Sequence, residues 1–252
     1  MTKHTTGYVP GSYVGRTLDA ARLAENYIRS KMHKQPDTLQ AKPADREIAP
    51  TICFSRKIGV GALEIADRVG QTLGYRVADR LILEHITDRT ELSGSAVKFF
   101  DERYPGKISE LAAFLFGEKS FVMSDYMRSL VSSVYSLAEA EPTIFVGRGT
   151  HLLLPRDRVL AVRCIGSDDY RRRRLSHMLN ISESEAGRKL KEVDKEQREF
   201  FKKSFNRKSA PPDEFDLVMN LDFLHEPRWA ADIVATAFRR KFGSMLKKKS
   251  AA

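Results

Sequence analysis

Residues 48–74 constrain the fold more than any other stretch of the chain. IAPTICF (48–54) is a short apolar run containing β-branched residues, as expected of a strand buried on both faces of a parallel sheet. It leads into the turn Ser55-Arg56-Lys57-Ile58-Gly59-Val60-Gly61-Ala62. LEIADRVGQTLG follows, in which Leu63, Ile65, Ala66, Val69 and Leu73 recur at helical spacing until Gly74 stops the helix. A strand that turns through glycines into a helix opens a parallel β–α unit, because parallel neighbours need a crossover connection.

The alternation continues along the chain. YRVA (75–78) reads as a second short strand ending at Asp79. Residues 80–140 read as mostly helical, with breaks near Gly94, Pro105 and Gly117, and TIFVGRG and VLAVRCIG read as two further buried strands. Ser167 and Asp168 cap the helix DDYRRRRLSHML, and Ser182 with Glu185 forms a capping box for a long helix ending near Phe205. FDLVMNLD is a fifth strand, and WAADIVATAFRRKF is a closing amphipathic helix. The expected fold class is therefore α/β, a parallel five-stranded sheet covered by helices on both faces, with ligands bound beyond the carboxyl ends of the strands. The polar turns at 55–62, 79–80 and 147–149 all follow strands and gather at that edge. Residues 1–47 read as an N-terminal appendage of tail, helix (17–33) and linker, with a disordered leader as the alternative. Residues 48–242 form the compact domain, and 243–252 a basic tail.

Composition narrows the function. Hydrophobic residues make up 42 % of the chain, ordinary for a globular domain, and no run approaches the ~18 apolar residues of a membrane span. The first residues lack the basic-then-apolar pattern of a secretory signal. Cys53 and Cys164 each sit in a buried strand and read as reduced core thiols. No metal-ligand spacing is present, and His85, His151 and His177 are scattered, so no metal site is expected. These features point to a cytoplasmic protein. The net charge of +10, with a pI of about 9.6, calls for an anionic partner. Residues 168–208 carry thirteen Lys/Arg against eight Asp/Glu, half of that excess.

The turn 55–62 has the chemistry of a phosphate cradle. Glycines let the backbone curl around phosphate oxygens, and the following helix N-terminus presents N–H donors. Taken alone the spacing also fits a tight strand-to-helix turn that uses glycine for steric reasons. The Walker pattern G-x-x-x-x-G-K-[ST] is absent: Ala62 stands at the lysine place, followed by Leu63 and Glu64, so Arg56 or Lys57 is left to supply the charge. Gly147-Arg148-Gly149 follows a buried strand, where an arginine can present a bidentate fork to a phosphate. Asp79-Arg80 opens a helix, and Asp79 also reads as an N-cap. Arg171–Arg174 cover most of a helix circumference, so only one or two face any single ligand. Asp194 and Arg198 at i,i+4 read equally as a surface pair.

Four strings in register carry a resemblance to a known family: ICFSRKIGVGALEIADRVGQTLGYRVADRLIL, IFVGRG, LSHMLNISESEAGRKLKEVDKEQREFFKKSF and FDLVMNLD. They resemble the cytidylate kinase-like family over about residues 50–240, with Val60 in place of the usual serine and Ala62 in place of the usual third glycine. The resemblance implies a P-loop NTPase-like three-layer sandwich with a helical lid over about 168–208. It implies an ATP- and Mg²⁺-dependent kinase acting on a nucleoside monophosphate such as CMP or dCMP. It places ATP on Ser55, Arg56, Gly59, Val60, Gly61 and Ala62, and the acceptor on Asp79, Arg80 and Arg148. Lys57, Arg171, Arg174, Lys195 and Arg198 become the cations around the transferred phosphoryl group.

Two rivals stand beside this reading. The missing Walker lysine and hydroxyl favour a nucleotide-binding protein without turnover. The basic charge favours a nucleic-acid partner, although no aromatics interleave with the run 171–174 as stacking platforms would. A small-molecule nucleotide is the expected partner and a membrane is not. The oligomeric state is not legible in the sequence.

Overall fold

The computed structural model describes residues 48–88, 97, 100–101, 104, 106–116, 124–208 and 210–249. The expected helix at 17–33 and the breaks at Gly94, Pro105 and Gly117 lie outside these residues. β1 (Thr51–Arg56), β2 (Arg76–Asp79), β3 (Thr143–Val146), β4 (Val159–Ile165) and β5 (Leu217–Asn220) form one sheet in the order β2-β3-β1-β4-β5, every pair parallel. The helices are α1 (Ala62–Leu73), α2 (Arg80–Asp88), α3 (Lys107–Phe116), α4 (Asp125–Ala140), α5 (Asp168–Leu179), α6 (Glu183–Phe205) and α7 (Pro227–Lys249). The closing helix thus runs on into the stretch that reads as a basic tail from sequence.

Strand alternation divides the core into two layers. Cys53, Ala78, Phe145, Val159 and Ala161 face one layer with α2, α3 and α4. Ile52, Phe54, Ile144, Val146, Leu160 and Val162 face the other with α1 and α7. Cys53 on β1 and Cys164 on β4 lie in opposite layers, so they cannot pair. Both are buried free thiols, each pushed up to about 12 by burial.

β1 sits at the centre, and its successors depart in both directions: β2 and β3 to one side, β4 and β5 to the other. That is the topological switch at which open α/β sheets bind ligands. A third small cluster (Ile58, Leu175, Ala186, Leu190, Val193) packs α5 and α6 onto the turn after β1. Serines cap both helices as the sequence predicts: the Ser167 hydroxyl accepts from Tyr170 N, and that of Ser182 from Glu185 N. No described helix is long and apolar enough to cross a membrane.

Candidate functional site

Gly59 and Gly61 hold φ of 89° and 87°, the left-handed region that lets the chain reverse from β1 into α1. Space around them is also limited. A Cβ on Gly61 would lie 3.0 Å from the Arg174 guanidinium, and one on Gly59 would lie 3.1 Å from Leu190. Gly61 occupies the N-cap of α1 and offers no side-chain acceptor, whereas α4, α5 and α6 are each capped by a serine. The positive end of α1 therefore meets the turn without a side-chain cap, as an anion site requires. Ala62 is buried and cannot replace a lysine. A cation arrives instead from α5: Arg174 donates to Gly59 O at 3.5 Å and lies 3.4 Å from the Glu64 carboxylate.

Arg171 does something different. Only 1 % of it is exposed; it donates to Ile58 O at 2.6 Å, to Asp168 at 2.9 Å and to Asp194 at 2.6 Å. One guanidinium thus ties the turn after β1 to the start of α5 and the middle of α6. In this arrangement its donors are taken up by the protein.

A second set of arginines converges from three strand ends. Arg56 closes β1, Arg80 follows β2 and Arg148 follows β3. Arg148 holds an uncommon φ of 53°, which aims its side chain. The Arg56 guanidinium lies against Gly147, where a Cβ would be 3.0 Å away. Burial, then the charges of Arg80 and Arg56, push Arg148 far below the usual arginine range, and Glu196 offsets this only in part. An arginine does not release its proton under such pressure. The result is a buried cluster of positive charge that favours a bound anion. Glu84 now serves that need, its carboxylate bonding Arg80 at 2.9 Å and also pairing with Arg148. Phe200 of α6 stacks on the Arg148 guanidinium, 4.1 Å from ring centroid to Cζ. Arg148 Nε is buried with no hydrogen-bond partner among the described residues.

On the other side of the turn lies a cavity of about 340 Å³ lined by Lys57, Arg163, Arg171, Arg198 and Lys208, with Asp168 and Asp194 as the acids. Helix α6 divides the two basins. Glu196 and Phe200 face the arginine cluster, Gln197 donates to Arg56 O at 3.0 Å, and Arg198 and Phe201 line the cavity. Mg²⁺ bound with a nucleotide keeps most of its waters and needs only one or two carboxylates beside the phosphates, a demand that Asp168 at the cavity wall fits. Among the described residues no group of three or more His, Cys, Asp or Glu makes a metal site of its own.

The sequence-predicted residues therefore separate. Arg56, Arg80 and Arg148 come together; Lys57, Arg171 and Arg198 share the cavity, and Arg174 sits on the glycine turn. Lys195 is exposed and is not among the cavity residues. Asp79 accepts from Ile82 N at 3.0 Å, as an N-cap does. Ser55 is buried and accepts from Arg163 at 2.6 Å, and Val60 packs in the core. Sequence reasoning missed Glu84, Arg163, Gln197 and Phe200. The i+4 spacing of Glu84 from Arg80 was a usable signal, as was a charged residue inside the buried run VLAVRCI.

Comparison with known proteins supplies a family. The model of the cytidylate kinase-like family matches residues 51–222. No curated protein matches the chain. Among solved structures, a protein from Eubacterium ventriosum described as uncharacterized is 15 % identical, with a TM-score of 0.59, covering 77 % of this chain and 99 % of its own; that likeness supports the fold alone. A gluconokinase from Sinorhizobium meliloti (12 % identity, 81 % and 99 % coverage, TM-score 0.44) and a shikimate kinase from Bacteroides thetaiotaomicron (14 %, 75 % and 96 %, 0.37) are too distant in shape to carry an argument.

Proposed function

The chain belongs to the cytidylate kinase-like family, and from that premise we propose that it transfers the γ-phosphoryl group of ATP to a nucleoside monophosphate of the CMP or dCMP kind. The observation that carries the reading is the convergence of Arg56, Arg80 and Arg148, a charge cluster whose strain a dianionic acceptor phosphate would relieve better than the single carboxylate of Glu84. The acceptor phosphate binds there and displaces Glu84. The donor phosphates lie at the turn 55–62 and the N-terminus of α1, beside Arg174, with Lys57 and Arg198 reaching from the cavity. An acceptor phosphate oxygen forms a bond to the γ-phosphorus, the bond to the β–γ bridging oxygen breaks, and ADP and a nucleoside diphosphate leave. This chain's residues orient the two nucleotides in line and spread positive charge over the transferring oxygens, which is most of what such a step needs. Mg²⁺, if held with the nucleotide, would supply charge neutralisation of the phosphates, and Asp168 in the cavity lining is the carboxylate that would hold it.

A second reading has one observation in its favour. Glu64 stands in the first turn of α1 and holds Arg174, placing a carboxylate beside the phosphate seat. On that reading the protein binds nucleotide without turning it over. ADP release from ATP–Mg²⁺ with CMP, dCMP, UMP, AMP, GMP or no acceptor decides between them. An acceptor-dependent rate that Arg148→Ala removes supports the kinase; ATP binding by calorimetry with no acceptor-dependent rate supports the binder.

A further inference from the structure

Arg163 is the one charged residue of β4, a strand inside the sheet between β1 and β5. Strand alternation turns its side chain to the face that carries Cys53 and Ala161. Register sets it beside Ser55 on β1, and its Nη1 donates to the Ser55 hydroxyl at 2.6 Å. The Phe215 ring centroid lies 5.8 Å from its Cζ. Among the described residues no carboxylate pairs with it. A half-buried charge with no opposite charge is costly, and one hydroxyl does not balance it.

The free part of this side chain has somewhere to point. None of the Arg163 nitrogens is both sealed and unbonded, in contrast to Arg148 Nε. Those without a protein partner therefore open into the cavity of about 340 Å³ that Arg163 lines, a volume in the range of small-molecule sites. Lys57, Arg198 and Lys208 line the same space and are exposed. The two acids there, Asp168 and Asp194, are both engaged by Arg171, at 2.9 Å and 2.6 Å. Five cations thus surround the cavity against two acids, and a single cation serves both acids. A diphosphate group carries about the charge needed to offset that excess.

We propose that this cavity seats a diphosphate group, with Arg163 as its fixed floor. The strand holds the arginine in place, and its free N–H groups offer phosphate oxygens a planar fork. Lys57, Arg198 and Lys208 close around the anion from the walls. The diphosphate has two sources: the nucleotide's own chain or a free inorganic anion. In the first case the seat deepens the kinase reading by naming the group that grips the donor, and only that identification rests on it.

Inorganic pyrophosphate is the probe, titrated into the full chain by calorimetry without divalent cation and at constant ionic strength. It is expected to bind, with sulfate at least about tenfold weaker. Arg163→Met should weaken pyrophosphate about 30-fold or more, the loss of a bidentate charge-assisted contact. Arg198→Ala, at an exposed position that no fold contact depends on, should weaken it about tenfold, and keeps the test open where Arg163→Met does not fold. Arg240→Ala, exposed on α7, should leave binding unchanged. Displacement of pyrophosphate by ATP supports the seat as the nucleotide's own; simultaneous binding supports it as that of a free anion. Pyrophosphate binding in a protein with no acceptor-dependent rate keeps the seat and removes the kinase reading, whereas an acceptor-dependent rate without pyrophosphate binding does the reverse. The proposal is overturned if sulfate binds as tightly as pyrophosphate, if Arg163→Met and Arg198→Ala bind like the parent, or if Arg240→Ala weakens binding as much as they do.

Discussion

Arg148 concentrates the energetics of the site in one side chain. It is buried, faces two other arginines and is held by a stacked ring and a shared carboxylate. Replacing it by alanine is expected to lower acceptor-dependent kcat/KM by about 30-fold or more, the loss of a bidentate charge-assisted contact. Arg148→Lys restores little, because a point charge cannot supply the planar fork; steady-state rates on both variants test this. His151 gives a prediction of opposite character. Its folded pKa of about 3 lies below the ordinary 6.5, so between those values the unfolded chain binds a proton that the folded chain refuses. Stability is therefore complete above pH 6.5 and falls as the pH drops, by roughly 1.4 kcal/mol per unit at most from this group. Urea titrations from pH 7 to pH 4 should show that slope, and His151→Gln should flatten it. At this scale the sequence exposed Arg56, Arg80 and Arg148 and placed their turns at one edge of the sheet, but not the strand order that makes them immediate neighbours. Strand order decides which ends become neighbours, and the central position of β1 is a tertiary fact. Arg171 shows the converse. Within the run of four arginines Arg171 reads as one that faces a ligand, yet it is sealed in the core by Asp168, three residues before it, and by Asp194 on the next helix.

Among the elements, α5 and α6 were legible because their boundaries are chemical. Ser167 and Ser182 supply acceptors that orphan N–H groups require, and Asn180 and Asn206 end the helices in the left-handed conformation. How the pair docks was not legible, since a helix as polar as α5 advertises no apolar stripe. The docking is done by the small cluster around Ile58 and by the Arg171 bonds. Arg171→Met is expected to destabilise the fold by about 3 kcal/mol, because it strands the Asp194 carboxylate and the Ile58 carbonyl. The double variant Arg171→Met, Asp194→Leu should recover much of that loss, a coupling that a double-mutant cycle by chemical denaturation measures. Ser182→Ala should cost about 1 kcal/mol and act only on α6.

For the whole molecule, alternating strands and helices predicted the parallel sheet and its two covered faces, and both are present. The net charge of +10 acts at this scale as a field rather than as a set of contacts. Association of ATP should accordingly slow several-fold between about 20 mM and about 200 mM salt, with dissociation changing less. Stopped-flow rates that do not vary with salt would show that the charge plays no part in capture. The position of α6 carries a further consequence. Its residues face the arginine cluster on one side and the second basin on the other, so the helix cannot move for one occupant without altering the seat of the other. Two ligands sharing one wall are thermodynamically linked: whatever factor the first applies to the affinity of the second, the second must return to the first.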